Sequence, residues 1–367
     1  MKLNRPTGVA IGKLVLAGLA CLSLVGCAAG STGQSASPSS PTSDTYTFTD
    51  DVGRQVQLPT DIQRIAPSGP MAQLVLFALC PDKLVGLASM FSDSQFQYLD
   101  QKYQSLPVFG NFYSNTLNLE SVLNANPQVV IDIGDVKPSS VADLDGIQAK
   151  TGIPTVFVKM DSLDAMVSAY QTLGQVTGDQ DQAEALGNYI SQTLADVQQK
   201  VATIPESSRP SVFYGQNDGL TAAVAGTTHT AVIDAVGATN VAQIPSGAGA
   251  GTASISMEQL MVWQPDIILL APGTAFGSVG SDPAWQGLDA IKSGRYYEIP
   301  DGPYNWIDSP PSINQVLGIV WLANLLYPDV FSYDMVQRTQ EFYQLFYHCN
   351  VTQAQVNQLL ANSTLKQ

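Results

Sequence analysis

Residues 118–134 read NLESVLNANPQVVIDIG, and residues 256–273 read SMEQLMVWQPDIILLAPG. The two stretches share one pattern. A Glu (Glu120, Glu258) is followed seven residues later by a Pro (Pro127, Pro265). Apolar residues fill the second and third positions after each Glu. A run of strand formers follows each Pro, Val129-Val130-Ile131 in the first copy and Ile267-Ile268-Leu269-Leu270 in the second. Proline lacks a backbone donor and stops a helix. Short unbroken apolar runs fit parallel strands buried on both faces. The pattern therefore predicts a short helix, a stop and a buried parallel strand, written twice. Two such units imply two similarly built halves; the competing reading is a chance likeness between two commonplace units.

The composition suits that division. A chain of 367 residues is long enough for two domains. Strand-like runs alternate with helix-like runs, the arrangement of α/β domains. The formal charge is −15. No basic footprint for nucleic acid is present, and an acidic surface serves solubility.

The N-terminus reads as a targeting segment. Lys2, Arg5 and Lys13 flank or precede LVLAGLACLSLV (14–25), an apolar run too short to span a bilayer comfortably. The run ends in Leu24-Val25-Gly26-Cys27, which resembles the bacterial lipobox, with cleavage before a cysteine that carries lipid. Several acyl chains on Cys27 anchor more firmly than one. The competing reading is an ordinary secretory signal with a chance cysteine. Residues 1–26 are thus a signal peptide. Residues 27–45, nearly free of charge and of apolar runs, are a flexible tether. Cys21 leaves with the signal. Cys80 and Cys349 remain, expected as free thiols rather than a bridge, and no Cys/His spacing for zinc exists.

The body of the chain alternates strands and helices. YTFTDDVGRQVQLP (46–59) reads as a β-hairpin. IQRIAPSGP (62–70) is a short strand, MAQLVLFALC (71–80) an apolar helix, DKLVGLAS (82–89) a further strand and TGIPTVFVKM (151–160) another. A helix over 162–178 ends at a glycine. DQAEALGNYISQTLADVQQKVATIP (181–205) carries the longest periodic run, with Leu186, Ile190, Leu194, Val197 and Val201 on one face. SRPSVFYGQ (208–216) restarts the pattern with a strand, HTAVIDAVGATNVAQ (229–243) is helix-like, and a Gly-rich segment (244–256) precedes the second copy of the phrase. The expected organisation is an N-terminal α/β lobe over 46–180, a connecting helix over 181–205 and a C-terminal α/β lobe over 206–367.

Taken in order, DVGRQVQLP, RIAPSGPMAQLVLFALCPDKLVGLAS, NLESVLNANPQVVI, SMEQLMVWQPDIILL, DPAWQGLDAIKSGRYYEIP and PPSINQVLGIVWLANLLYPDVF resemble the substrate-binding lipoproteins of bacterial ABC importers for iron–siderophore, haem and cobalamin complexes. The resemblance runs from about 46 to 360. It implies an α/β fold of two Rossmann-like lobes joined by one long helix, with the ligand cleft between them. It implies a monomer outside the cytoplasm that touches the membrane only through its lipid, whose partners are a permease, its ATPase and a bulky metal-chelate ligand. Glu120 and Glu258 match the family positions that dock on permease arginines, a role suited to charge-assisted bonds. The competing reading is carboxylates favoured at helix starts.

Ligands in parallel α/β domains sit at the carboxyl ends of strands. That rule selects Ser68, Met90, Phe112 and Tyr113 in the first lobe, and Tyr214, Tyr304, Asn305 and Trp306 in the second. A cleft rich in aromatic rings and neutral donors suits a bulky organic ligand, although each ring taken alone is more often core. Relatives often carry an Arg where this chain has Ser309, a departure that weighs against strongly anionic ferric siderophores. With two histidines in the chain, His229 and His348, a bare zinc or manganese site is disfavoured and no metal ligand is assigned. His229 begins a helix at the cleft edge, where a single axial bond to a ligand's metal competes with a simple helix-start role; His348 reads as structural. No GxSxG, Walker A, HExxH or GxGxxG motif is present, so neither catalysis nor a resident cofactor is expected. An iron–siderophore or similar chelate is the leading ligand. A corrinoid such as cobalamin, haem, or molybdate or tungstate are the alternatives, and a tethered enzyme or adhesin stands behind them.

Replacing Cys27 by Ser is expected to abolish lipid attachment, read by mass spectrometry and membrane fractionation. A Cys27→Ser chain that still carries lipid would refute the lipobox.

Overall fold

The repeated phrase folds twice into the same unit. The structure is a computed structural model and describes residues 44–245, 251–273 and 275–365. The signal segment, Cys27, the tether up to residue 43 and part of the Gly-rich segment (246–250) lie outside those residues.

The first half opens with the expected hairpin, β1 (Thr45–Thr49) antiparallel to β2 (Gln55–Pro59). There follow β3 (Ile65–Pro67), α1 (Pro70–Leu79), α2 (Leu119–Ala125), β4 (Val129–Gly134), α3 (Ser140–Thr151), β5 (Thr155–Lys159), α4 (Ala165–Thr177) and α5 (Gln180–Val201). Strands β3, β4 and β5 form a parallel sheet in that order. The second half contains β6 (Ser211–Gln216), β7 (Thr221–Ala223), α6 (Ala231–Ala235), β8 (Thr239–Asn240), β9 (Thr252–Ser254), α7 (Met257–Trp263), β10 (Ile267–Leu270), α8 (Phe276–Val279), α9 (Asp289–Lys292) and β11 (Tyr296–Glu298). Helices α10 (Asn314–Leu326), α11 (Met335–Phe346) and α12 (Gln353–Leu359) close the chain. The second sheet runs β11-β10-β6-β7-β9, with β8 beside β6. Its β7 and β9 are antiparallel additions that the sequence pattern did not announce.

The strand expected over 82–89 does not form. Val85 donates to Ile65, whereas Leu87 exchanges bonds with Pro107 and Phe109, so the segment changes partner after each contact and leaves only isolated bridges.

Helices α2 and α7 match closely. Each has seven residues and opens on a side-chain cap, Asn118 accepting from the Ser121 N–H (3.0 Å) and Ser256 from the Gln259 N–H (3.2 Å). Each ends on a left-handed residue, Asn126 at φ +48° and Gln264 at φ +42°, directly before the proline. That turn reverses the chain, and the next strand runs back alongside the helix. The strands are apolar on both sides. In β4, Val129, Ile131 and Ile133 face the main core while Val130 faces α2 and α3; in β10, Ile267 and Leu269 separate from Ile268 and Leu270 in the same way.

Helix α5 joins the halves. It packs on α4 and α1 on the first side and on α10 and α6 on the second. Its buried positions Ala183, Leu186, Ile190, Val197 and Val201 recur at helical spacing. The main apolar cluster passes unbroken from α1 and α4 through α5 to β6, β10 and α10. The fold is α/β, with two Rossmann-like lobes joined by one long helix and a cleft between them. Cys80 and Cys349 are both free, the first buried and the second half-buried.

Gly318 in α10 lets the helix close on the Trp306 loop, since a Cβ there would stand 2.0 Å from the Trp306 carbonyl oxygen. Gly318→Ala is expected to lower stability by about 1–3 kcal/mol, read as a lower urea midpoint. Gly146→Ala in α3, where a Cβ meets nothing within 4 Å, should be neutral or mildly stabilising.

Candidate functional site

Residues from both lobes line one cavity of about 670 Å³. The first lobe contributes Met71 at the start of α1, Asp135 after β4, and Met160 and Asp164 after β5; the second contributes Thr228 and Gln315. Helix α5 forms part of its wall through Leu194, Val197 and Val201. A neighbouring cavity of about 710 Å³ lies within the first lobe, and Met71 and Asp135 line both.

The floor of the first-lobe cavity is a hydrogen-bonded trio. Asp132, on β4, accepts from the Ser68 hydroxyl through Oδ1 and from the Tyr113 hydroxyl through Oδ2. Burial pushes the Asp132 carboxyl up, against the pull of these two donors. The Tyr113 hydroxyl is pushed up as well, first by burial and then by the Asp132 charge. Phe112 N–H donates to the Ser68 carbonyl (2.9 Å), and Asn111 Oδ1 accepts from Tyr113 N–H (2.8 Å), so the loop is tied to the end of β3.

The second lobe presents His229. Its Nδ1 lies 2.7 Å from Asp308 Oδ1. Asp308 is itself held by Gln216 Nε2 (2.8 Å) and by the Ser309 N–H (2.7 Å). A carboxylate on Nδ1 holds the proton there, so the neutral ring carries its lone pair on Nε2. The bond to Asp308 raises the His229 pKa above its ordinary value, burial opposes the rise, and the charges of Asp308 and Asp135 add to it. The pair joins residues 79 positions apart, which no local pattern reveals. A lone histidine at a helix start was the one available signal.

The residues selected from the sequence divide into two groups. Met90 (41 % exposed) and Tyr113 (47 % exposed) stand at the surface, and Ser68 lies beneath Tyr113 in the trio. Gln73, which exchanges bonds with Ser89, places the loop that carries Met90. The aromatic cleft expected from the sequence is not what the structure builds. Trp306 is 1 % exposed within the main core, Tyr214 is buried and Tyr304 packs half-buried against Tyr347, whereas Phe112, though buried, lines the first-lobe cavity beside Tyr113. Asn305 is spent inward, its Oδ1 accepting from the N–H groups of Ile307 and Asp308. Burial of bulky rings outweighs their use as contacts here. The cavity between the lobes is walled instead by methionines, aliphatics and carboxylates.

Glu120 and Glu258 are exposed on the first turns of α2 and α7. The ends of both helices fix their direction. Asn126, at the end of α2, accepts from Arg64 beside the start of β3, whereas Asn118 at its beginning donates to Phe109 in the loop at the far end. Ile255, just before α7, donates to Leu220 beyond the end of β6, while Asp266 after α7 accepts from Ser211 at the start of β6. Both glutamates therefore sit on the side of their lobe where the parallel strands end. The Glu258 carboxyl is held below its ordinary range by its own backbone N–H and by Ser256. His348 bonds through Nε2 to the carbonyls of Phe77 and Ala78 (both 3.1 Å), closing the last turn of α1, which is the structural role read for it.

Residues 75–303 match the family described as periplasmic binding protein. The chain belongs to that family. It is a substrate-binding protein of the ABC-importer class. It is 25 % identical over 220 residues to the uncharacterized ABC transporter substrate-binding lipoprotein YvrC of Bacillus subtilis (59 % of this chain, 67 % of that protein). It is 29 % identical over 227 residues to a cobalamin-binding protein of Halobacterium salinarum, where the match covers 58 % of this chain and 55 % of the relative. A solved ABC transporter solute-binding protein from Sulfurospirillum deleyianum superposes with a TM-score of 0.78 at 27 % identity, covering 86 % of this chain and 99 % of that one. Binding proteins of this class serve a permease and its ATPase and carry a small-molecule ligand.

The His229–Asp308 pair of this binding protein gives a signed pH dependence. The folded pKa lies above the unfolded value of 6.5, so the pair's stabilisation is complete below 6.5 and is lost as pH rises through the raised value. NMR titration of the His229 ring should show its pKa fall in Asp308→Asn. The gap in urea midpoint between wild type and variant should narrow at high pH. An unchanged titration would mean that the pair does not form.

Proposed function

We propose that this chain is the lipid-anchored, extracytoplasmic receptor of an ABC importer, a monomer that captures a bulky metal chelate and passes it to the permease without catalysis. The observation that carries the ligand class is the His229 imidazole, oriented by Asp308 (2.7 Å) and close enough to Asp135, which lines the cavity, to feel its charge. Gly251 lies against the Nε2–Cδ2 edge of the ring, where a Cβ would come within 3.0 Å of Nε2 and 2.3 Å of Cδ2. Among the described residues no group of three or more His, Cys, Asp or Glu is placed to hold an ion. A metal cargo must then bring most of its own ligands and take a single bond from the protein. Corrinoids with an exchangeable axial ligand meet that condition, as do ferric siderophore complexes whose chelator leaves a coordination position open. Molybdate, already saturated with oxo groups, does not. The scarcity of open aromatic surface weighs against haem. The cobalamin-binding relative makes a corrinoid the first alternative to a ferric chelate. Met90, Tyr113 and, through Tyr113, Ser68 serve the cleft in this reading, and Glu120 and Glu258 meet permease arginines.

One experiment separates the two roles. Uptake by the cognate importer and ligand titration are measured side by side on Glu120→Ala, Glu258→Ala, their double variant and His229→Ala. Each glutamate variant should weaken docking by about 1.5–3 kcal/mol, nearly additively in the double, with ligand affinity held within about twofold of wild type because both carboxylates stand exposed on the first turns of α2 and α7. His229→Ala should lose roughly tenfold or more in affinity. The reverse pattern would place the glutamates in the cleft and His229 outside it.

A further inference from the structure

We infer that the cavity between the lobes selects metal chelates of zero or positive charge and rejects anionic chelates and oxyanions. The inference rests on the solute-binding reading above and narrows its ligand. Four carboxylates line that cavity, those of Asp135, Asp161, Asp164 and Asp234, against one guanidinium, that of Arg209. One of the four is neutralised from behind, Asp161 by Lys159 (2.9 Å); among the described residues Asp135, Asp164 and Asp234 make no ion pair.

The single guanidinium is outnumbered four to one, although its Nε is buried without a hydrogen-bond partner. Arg209 sits beyond the end of α5, where its Nη2 donates to the Ile204 carbonyl (3.4 Å) and its side chain packs beside Gly237. Of the carboxylates without an ion pair, Asp135 follows β4 and Asp164 is the N-cap residue of α4 on the first lobe, while Asp234 lies in α6 on the second; Asp135 is near enough to His229 to raise its pKa. The first-lobe cavity is more nearly balanced, with Lys137 and Lys150 beside Asp132, Asp135 and Asp143.

The rest of the lining sharpens the effect. Met71, Met160, Met166, Val197 and Ile319 form low-polarity walls, and like charges repel more strongly there than across water. Methionine thioethers also adapt to irregular apolar surfaces. The preferred cargo therefore has an apolar or amide-covered exterior and no net negative charge.

The test is a panel of metal complexes titrated into the purified full chain, followed by tryptophan fluorescence and by each complex's own absorbance. The panel holds a cationic ferric trihydroxamate with a pendant ammonium, a neutral ferric trihydroxamate, a trianionic ferric tris-catecholate, aquacobalamin, cyanocobalamin and molybdate. The tightest binder should be neutral or cationic and exceed every anionic member by about tenfold or more. Added salt should weaken a cationic binder and leave a neutral one unchanged. In the Asp135→Asn, Asp164→Asn double variant the neutral-to-anionic preference should shrink several-fold. If an anionic complex binds best, charge selection is wrong while the binding reading stands. If the preference is unchanged in the double variant, these carboxylates do not set it. If no member binds, the metal-chelate reading fails along with the inference.

Discussion

A parallel strand buried on both faces has only its ends left to offer. That constraint governs this molecule. Val129–Ile133 and Ile267–Leu270 are covered above and below, so their apolar alternation is used up in packing. Whatever recognises a ligand must come from the turns at the strand ends. The short helices that precede these strands bring their own first turns to the same end. Cleft and flanking glutamates are thus consequences of one geometry, repeated because the sequence repeats.

The turns themselves are firmly held, and that makes them useful. Asp132 grips both Ser68 and Tyr113, and Asp308 grips His229, Gln216 and the Ser309 backbone. In each lobe a largely buried carboxylate fixes one side chain that reaches the surface. Such groups are costly to bury unless satisfied, and here each carboxylate oxygen has a partner. Rigid presentation lowers the ordering penalty when a ligand arrives.

Much of the architecture was legible because it depends on local period. The hairpin, α1, the repeated helix–Pro–strand units and α5 follow from alternation, helical spacing and stops within a few residues. The errors came where distant residues decide. DKLVGLAS has strand composition but finds no continuous partner. Trp306, Tyr304 and Tyr214 occur near strand ends and loops, yet the chain folds back over them and they become core. The His229–Asp308 pair and the methionine and carboxylate walls of the cavity come from segments far apart, where single residues carry no periodic signature.

The end of the chain returns to its beginning. Gln182 bridges the carbonyls of Ala78 and Leu345, His348 closes the last turn of α1, and Tyr343 stacks edge-on against Tyr98. A polypeptide that emerges N-terminus first therefore cannot finish its first lobe until its last helices are free. Many of its stabilising contacts span most of the chain's length, which slows folding and leaves apolar surface on α1 open in the interval. For such a chain the final residues act as the latch of assembly, and losing them would loosen the lobe that was made first.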